Sequence, residues 1–422
     1  MRRILFVDDE PKLLEGFRRM LRGLRHEWQA EFVPSGREAL AVMNHAPCDV
    51  LVTDMRMPGM DGAELLQHVM HRWPGTIRLV LSGQCDRETV LRAVGRAHQF
   101  LTKPCDSEAI KAAANRTCAL RDQVADPWQR QTASRVQGIA SSADAFVELA
   151  RELAADAPSL ERIGRIVEKD VSVCAKLLQL VSSSFFGPPQ KVVRAAQAAE
   201  LLGVELLKSL MFSARVFRTR SGDSPSGRLV EGLRAHSLQV ARNASRIAWA
   251  ETAQAPAASE AYTAGLLHDV GLILLAESDG AAPPRFSIPQ GAASHAPAES
   301  LADPGQTHAA LGGYLLGLWG LSETLVGASL FHHAPGHSRE TAFSPLAAVH
   351  FAEAAAAGCG DLGRLAASLD MEYLGRIGCA DRLEAWHALC QQPATEPWGD
   401  GPGFLQAKTG RSPCGTTEET HS

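Results

Sequence analysis

Several features that would place this chain in a special environment are missing from its sequence. The nine cysteines are scattered singly with no CxxC pair, as is typical of reduced thiols in a protein core. There is no basic block, and the formal charge is −5 with a pI of about 6.3, so neither nucleic acid nor an anionic membrane is indicated as a partner. No apolar run approaches the ~18 residues that a membrane-spanning helix needs.

The start of the chain leaves no room for a signal peptide, because residues 1–7 run directly into an apolar strand. Together with the reduced thiols, this predicts a cytoplasmic protein with no membrane contact. Its 422 residues are enough for two or three domains and for a substantial core.

The first 120 residues alternate short apolar runs with amphipathic helices, a pattern that indicates parallel strands joined by helical crossovers. Four of these runs end in side chains suited to chemistry, namely Asp8-Asp9, Asp54, Ser82 and Lys103. The carboxyl ends of parallel strands meet at the edge where open α/β sheets build their sites. We therefore expect one site, an acid cage able to hold Mg²⁺ and to present a carboxylate to a phosphoryl donor.

This ordered set resembles the receiver domain of two-component response regulators, over residues 1–122. The resemblance implies a doubly wound, five-stranded parallel sheet (flavodoxin-like), a sensor histidine kinase as partner and Asp54 as the phospho-acceptor. The other implied roles are Mg²⁺ binding by Asp8, Asp9, Asp54 and the Arg56 backbone carbonyl, phosphate contact by Ser82 and Lys103, an aromatic switch at Phe100, and a cis Lys103–Pro104 bond. The alternative is a flavodoxin-like sheet whose acids serve only solubility.

From residue 143 the strand pattern stops, and Ala- and Leu-rich helical segments follow. We expect an all-α bundle over 143–355, joined to the first domain by a linker over 123–142. A helical extension over 356–395 and a disordered tail over 396–422 complete the chain. The predicted helices are 146–154, 160–169, 173–182, 195–202, 205–216, 229–251, 259–277, 308–319, 322–332 and 345–357, with a polar break at 218–228 and a surface loop over 278–306.

Histidines are placed unusually in this helical part, since six metal-ligand side chains fall on predicted helices. They are His236, the pair His268-Asp269, His308 and the pair His332-His333. Glu353 on the last predicted helix is the candidate for a further acidic ligand. Imidazole and carboxylate groups from facing helices suit one or two ions of Fe, Mn, Zn or Ni.

This order of histidines and acid resembles the HD superfamily of metal-dependent phosphohydrolases, which bind one or two divalent ions inside a helical bundle. The segments 168–187 and 198–212 narrow the resemblance to HDOD domains, the HD-related output domains, over roughly 140–355. That resemblance implies an output domain that acts through a downstream protein partner.

The chain departs from the catalytic members of the superfamily. Leu272 stands where HD-GYP enzymes, which hydrolyse cyclic di-GMP, carry a lysine, and the run after His333 contains no GYP. Glu353 replaces a late Asp, which shifts the carboxylate oxygens by about 1.5 Å where metal distances must hold within ~0.2 Å. The usual Asn-Ser of HDOD domains is Ser182-Ser183 here. The histidines are therefore either a metal site, with or without turnover, or packed remnants of one.

The leading interpretation is a response regulator that signals through its HDOD domain by protein contacts, with coupling through the linker. The alternative is a phosphorylation-gated, metal-dependent phosphohydrolase acting on a nucleotide or cyclic nucleotide. A DNA-binding regulator has little support, because no basic recognition helix follows the first domain. Oligomeric state stays open, with a homodimer formed through the receiver domains as one option.

Overall fold

The computed structural model describes residues 1–83, 91–103, 105, 107–124, 126–182, 192–212, 218–220, 225–277, 304–357 and 361–393. The expected cis bond before Pro104, most of the expected loop over 278–306 and the tail over 396–422 lie outside the described residues. Within the described part, no helix is long and apolar enough to cross a membrane.

The N-terminal domain (residues 1–123) is a five-stranded parallel sheet flanked by helices, which confirms the predicted α/β class. Its strands follow the order β2-β1-β3-β4-β5, with bounds β1 Arg2–Val7, β2 Trp28–Val33, β3 Val50–Asp54, β4 Ile77–Gly83 and β5 Gln99–Lys103. The labelled helices are α1 Pro11–Met20, α2 Gly36–His45, α3 Gly62–Arg72 and α4 Ser107–Gln123, with a 3₁₀ turn at Leu21–Leu24.

The central strands β3 and β4 are buried along almost their whole length because helices cover both faces of a parallel sheet. Every residue of β3 is buried, including Thr53 and Asp54. The register pairs Val7 of β1 with Thr53, and Ser82 of β4 with Thr102 of β5. The residues that follow these pairs therefore meet at one edge of the sheet.

The helical domain (residues 140–393) confirms the predicted all-α class, apart from a small pair of parallel strands, β6 Ala140–Ser142 and β7 Arg218–Arg220. Its first helices are α6 Ala143–Leu153, α7 Leu160–Val167, α8 Val171–Val181 and α9 Ala195–Phe212. The bundle around the histidines consists of α10 Pro225–Thr252, α11 Ala255–Leu267, α12 Val270–Glu277, α13 Pro304–Leu318, α14 Glu323–Phe331 and α15 Pro345–Ala356. The last helices are α16 Leu362–Ala367, α17 Met371–Arg376 and α18 Leu383–Cys390.

One predicted helix break agrees with the structure and one predicted helix does not. The break predicted between residues 202 and 205 is present as the kink at Gly203 inside α9, where φ is +74°. The helix predicted at 259–277 is instead two helices, since His268 and Asp269 lie between α11 and α12. The break aims both of these side chains into the bundle.

The linker predicted over 123–142 is ordered rather than an open polar connection. Helix α5 occupies Pro127–Arg135, and the Asp126 carboxylate caps it by accepting from the Trp128 backbone N–H at 2.8 Å. Ala133 and Ser134 are buried, so α5 uses one face for packing. Its polar composition concealed this, because the buried residues Gln129, Ala133 and Ser134 carry little hydrophobic signal.

The two domains share a packed interface rather than only a covalent connection. The Lys176 ammonium of α8 donates to the carbonyl of Val94 at 3.0 Å. Gln179, one turn further along α8, donates to the carbonyl of His98 at 3.1 Å. On the other side of β5, the Gln99 amide donates to the Leu318 carbonyl at the end of α13, at 3.0 Å.

Candidate functional site

The carboxyl edge of the N-terminal sheet brings two of the predicted acids together around one lysine. The Lys103 ammonium lies 2.6 Å from Asp8 Oδ2 and forms an ion pair with Asp54 Oδ1. Asp54 ends β3, Asp8 follows β1 and Lys103 ends β5, so the fold itself closes this triangle. One cation thus balances two carboxylates in the state that the structure describes.

The loop after Asp54 holds its second oxygen. The Arg56 backbone N–H donates to Asp54 Oδ2 at 2.6 Å. The chain then returns to the strand end, where the Gly62 N–H donates to the Met55 carbonyl at 3.0 Å. A Cβ atom at Gly62 would lie 2.2 Å from the Asp54 carbonyl oxygen, so the close approach of α3 to the site requires glycine.

Burial and charge act in opposite directions on this group. Burial raises the pKa of Asp54 above its ordinary value, although the hydrogen bond and charge of Lys103 lower it. Burial alone would lower the pKa of Lys103, but hydrogen bonds to Asp54 and Asp8 raise it. The lysine therefore remains a cation beside an acid that burial disfavours as an anion, and a divalent ion would relieve that cost.

The other residues predicted for this site surround the same edge. Asp9 follows Asp8 with an exposed side chain, where it can reach an ion from the solvent side. Ser82 is buried beside β5, and its hydroxyl donates to the Gly83 carbonyl at 3.4 Å. Phe100, three residues before Lys103, is only 1% exposed.

The helical domain brings all seven of its predicted metal-ligand candidates into one group, called here the histidine cluster. It consists of His236 on α10, His268 and Asp269 between α11 and α12, His308 on α13, His332 and His333 after α14, and Glu353 on α15. Five separate segments of the bundle thus supply one site, as expected when ligands come from facing helices.

One half of the histidine cluster gathers around Asp269 Oδ2 and Glu353. His268 Nε2 lies 3.3 Å from Asp269 Oδ2 and 3.2 Å from Glu353 Oε2. His236 Nε2 lies 2.8 Å from the same Glu353 oxygen and 3.7 Å from Asp269 Oδ2. Two imidazoles and two carboxylates in this arrangement form a suitable donor set for a divalent transition metal.

The other half gathers around the second oxygen of the same aspartate. His308 Nε2 lies 3.0 Å from Asp269 Oδ1, and His332 Nε2 lies 3.5 Å from it. His333 Nε2 completes this group at 3.3 Å from His308 Nε2. Since Asp269 offers one oxygen to each half, its carboxylate has the geometry to bridge two ions.

The histidine tautomers are determined by backbone carbonyls, which can only accept. His268 Nδ1 donates to the Gly265 carbonyl at 2.7 Å, and His332 Nδ1 donates to the Ser329 carbonyl at 2.9 Å. In the neutral rings each Nε2 therefore directs a lone pair toward a carboxylate. Among the described residues, His268 Nε2 and Asp269 Oδ1 are buried without a hydrogen-bond partner. With neutral rings, these facing lone pairs and buried atoms form a donor set that a metal ion would satisfy.

Without an ion, protons must compensate the charge of the two acids. Burial would raise the pKa of Asp269, but the charge of His268 and the hydrogen bonds from the surrounding imidazoles hold it well below the usual value. Burial would lower the pKa of His268, but Asp269 and Glu353 raise it well above the usual value. Metal binding would therefore displace a proton from this pair.

A second layer of polar contacts holds the ligands in place. His350 Nδ1 donates to the His332 carbonyl at 2.6 Å, and its Nε2 accepts from the Asp370 N–H at 3.0 Å. The Ser329 hydroxyl donates to the His268 carbonyl at 3.0 Å. His350 lies three residues before Glu353 on α15, a spacing from which a supporting or core role can be expected in the sequence. There is no such signal for Ser329, which is an ordinary residue inside an apolar helix.

Family models match two consecutive parts of the chain. The model of the response regulator receiver domain matches residues 4–115, and the model of the HDOD domain matches residues 139–335. The two matches agree with the boundary between the sheet and the helical bundle.

Similarity to curated proteins is confined to a part of each protein. The hydrogenase transcriptional regulatory protein HoxA of Cupriavidus necator is 38% identical over 103 residues, which are 24% of this chain and 21% of that protein. The response regulator protein PilR of Pseudomonas aeruginosa is 32% identical over 124 residues, 29% of this chain and 27% of that protein. The chain thus spans about a quarter or less of the first such relatives.

Among solved structures, the receiver domain of an HD domain-containing protein from Pseudomonas fluorescens Pf-5 is 24% identical. The match covers 29% of this chain and 93% of that one, with a TM-score of 0.27.

Proposed function

The chain is a response regulator in which a receiver domain precedes an HDOD domain, and we propose that a phosphoryl group on Asp54 switches its output. The observation that carries this proposal is the triangle of Asp8, Asp54 and Lys103. Phosphoryl transfer requires mainly positioning and neutralisation of charge on the equatorial oxygens. The triangle offers a carboxylate acceptor, a fixed cation and a second acid that can share an ion.

In this proposal Mg²⁺ is held by Asp8, Asp9, Asp54 and the carbonyl of Arg56. A sensor histidine kinase or a small phosphodonor supplies the phosphoryl group. An oxygen of Asp54 forms the new bond to phosphorus, and the donor's leaving group departs. Lys103 then pairs with the phosphate, while Ser82 donates its hydroxyl to a phosphate oxygen.

The output in this proposal is a change in the contacts that the helical domain offers to a downstream protein. Ser82 lies in β4, which pairs with the strand that ends at Asp54, and Phe100 lies in β5, which ends at Lys103, so a charge change at this edge acts on β4 and β5 together. Helix α8 contacts the backbone next to β5 through Gln179, and α13 accepts a hydrogen bond from the side chain of Gln99 in β5. A shift of β5 therefore alters how the helical domain is docked.

The test is phosphate uptake by the full chain from radiolabelled acetyl phosphate with Mg²⁺. Wild type should become labelled, with release of acetate, and Asp54→Asn should not. The matched control is Asp49→Asn, because Asp49 precedes the same strand at the opposite edge and pairs with Arg121 at 2.9 Å. Equal labelling of Asp54→Asn and wild type would refute the site assignment.

The histidine cluster favours a second candidate function, a phosphorylation-gated, metal-dependent phosphohydrolase for a nucleotide or cyclic nucleotide. Fe, Mn, Zn or Ni ions, when bound, would supply the Lewis acidity for attack on a phosphate ester. The chain's own contribution is to orient the ligands through backbone carbonyls and to share Asp269 between two positions. The partly exposed His236, 20% accessible at the side chain, lies where a substrate phosphate can approach.

Metal content of the full chain, purified without chelators or oxygen, tests this second candidate. One to two equivalents of a transition metal should be present in wild type and lost in His268→Ala/Asp269→Ala. His26→Ala is the matched control, since its side chain is 73% exposed in the N-terminal domain. A folded wild type without metal would contradict the metal site and leave a protein-interaction module.

A further inference from the structure

Helix α13 belongs to the histidine cluster near one end and contacts strand β5 of the N-terminal domain at the other. His308, near its beginning, belongs to the histidine cluster. Leu318, at its end, accepts a hydrogen bond at 3.0 Å from Gln99 in β5 of the N-terminal domain. The two residues are ten positions apart, or about 15 Å along a helix. A single rigid element therefore joins the receiver sheet to the metal ligands.

Helix α13 is closely packed at both ends, so it has little room to move. A Cβ atom at Gly271, two residues after Asp269, would lie 2.0 Å from the His308 carbonyl oxygen. A Cβ atom at Gly317 would lie 2.0 Å from Leu120 Cδ2 of the receiver helix α4. The approach at Gly271 is to backbone and requires glycine, whereas a side chain at Gly317 would force Leu120 to move. The packing is therefore close at both ends, and a shift of α13 at one end changes its contacts at the other.

The receiver side of this connection leads back to the phosphorylation site. Gln99 begins β5, and Lys103 ends it. The buried side-chain amide of Gln99 also donates to the Thr117 hydroxyl of α4 at 3.1 Å. A phosphoryl group on Asp54 would draw Lys103 away from its present partners, because the new oxygens occupy the space between them. That displacement acts directly on the strand that α13 touches.

We propose that α13 couples the two sites, so that phosphorylation of Asp54 weakens metal binding at the histidine cluster. The docked arrangement, with Gln99 bonded to Leu318, is the one in which His308 faces Asp269. Loosening that contact lets α13 carry His308 away from the shared carboxylate. This inference rests on the proposed phosphorylation of Asp54 and names the regulation that follows from it.

Thermodynamic linkage makes the coupling measurable from either site. If a phosphoryl mimic on Asp54 lowers the affinity of the cluster for a metal, metal binding must lower the affinity for the mimic by the same factor. Couplings of this kind usually change affinity by about 5- to 150-fold. We expect a change of at least about fivefold here, since one of the ligands of the cluster is displaced.

The experiment measures Zn²⁺ affinity of the full chain by competition with a chelating dye. It is run in Mg²⁺ alone and in Mg²⁺ with beryllofluoride, a phosphoryl mimic. Wild type should bind Zn²⁺ at least about fivefold more weakly with beryllofluoride, and Asp54→Asn should not respond. His268→Ala identifies the part of the binding that belongs to the cluster.

A variant that breaks the hydrogen bond between Gln99 and Leu318 should lower Zn²⁺ affinity as beryllofluoride does in wild type. Gln99→Glu keeps the shape but places a carboxylate against the Leu318 carbonyl at a buried position, which opposes docking. It should bind Zn²⁺ as weakly as the beryllofluoride form does, with no further response. Gln29→Glu, at an exposed position on the opposite edge strand β2, should match wild type.

A second pair of variants tests the same interface independently. Gly317→Val should weaken Zn²⁺ binding because its side chain would meet Leu120 of the N-terminal domain. Gly327→Val is the control, because a Cβ atom at Gly327 meets nothing within 4 Å.

The two proposals fail in different ways. Normal phosphate uptake with a Zn²⁺ affinity that ignores beryllofluoride would overturn the coupling and leave phosphorylation of Asp54 intact. A chain that binds no Zn²⁺ at the cluster would overturn the coupling too. Loss of acetyl phosphate labelling in wild type would refute the proposed function itself.

Discussion

Replacing Lys176 by methionine should make the stability of this chain less dependent on pH between 7 and 9. The Lys176 ammonium lies between the domains, 3.0 Å from the carbonyl oxygens of Val94 and Gln137. It also lies 4.6 Å from the centroid of the Trp319 ring. Burial lowers the pKa of Lys176 from 10.5 to about 7, since carbonyls and a ring replace water as its surroundings.

The direction in which pH changes the free energy of unfolding follows from the number of protons that the folded and unfolded states bind. Between pH 7 and 10.5 the unfolded chain keeps this lysine protonated, whereas the folded chain has released the proton. Stability therefore rises with pH across this window. At about 1.4 kcal/mol per pH unit, the full effect is about 5 kcal/mol. Because the folded group is still half protonated at pH 7, the step from pH 7 to pH 9 contributes about 2 kcal/mol.

The assay compares urea unfolding of wild type and Lys176→Met at pH 7 and pH 9, in the same salt and with reductant. Wild type should gain about 2 kcal/mol more than the variant on going to pH 9. The matched control is Lys208→Met, since Lys208 is partly exposed and pairs with Glu205 at 3.5 Å on the surface of α9. It should respond to pH as wild type does.

An equal pH response of wild type and Lys176→Met would refute the reasoning. It would mean that the folded chain keeps Lys176 charged at both pH values. The two carbonyl acceptors and the Trp319 ring would then offset the cost of burial, as a cation over an aromatic face can do when it is desolvated.

Two further predictions concern glycines that allow close approach. Gly62→Ala should lower the free energy of unfolding by about 1–3 kcal/mol and slow phosphate uptake, because its Cβ would meet the Asp54 carbonyl at 2.2 Å. Gly75→Ala, with open space around it, should leave phosphate uptake unchanged and change the free energy of unfolding by no more than about 0.5 kcal/mol. Urea unfolding and acetyl phosphate labelling measure the two effects. Gly271→Ala should push α13 away at the His308 carbonyl and weaken Zn²⁺ binding, while Asp54 should still become labelled by acetyl phosphate. Unchanged Zn²⁺ affinity in a chelator competition would contradict the rigid packing of α12 on α13.

The strand-edge site could be predicted because its information is local. Each acid and the lysine of this site end or directly follow an apolar run, and parallel strands bring their carboxyl ends to one edge of the sheet. Asp8, Asp54 and Lys103 therefore needed only the strand assignment to be placed together. The histidine cluster was predictable in membership for a similar reason, since each ligand lies on or next to a strongly helical segment.

The domain interface could not be predicted, because it depends on faces that meet across about 80 residues or more of sequence. Lys176 and Gln179 contact residues 94–98, and no pattern in either segment predicts the other as its partner. A signal was present, however. All eleven residues of α8 are buried, and two long polar side chains three positions apart in such a helix must have partners. The same reasoning applies to α5, where the long polar side chain of Gln129 is buried.

The interface also constrains how two copies of the chain can associate. In the described sheet, β5 is an edge strand, and an uncovered edge offers backbone groups to another chain. Here Gln179 bonds to the carbonyls of Ala97 and His98 just before β5, and Gln99 bonds to Leu318. The helical domain therefore contacts the residues where this edge begins. We expect a second receiver that pairs along β5 to compete with this docking, and the proposed phosphorylation of Asp54, if it loosens the docking, to make the edge more accessible.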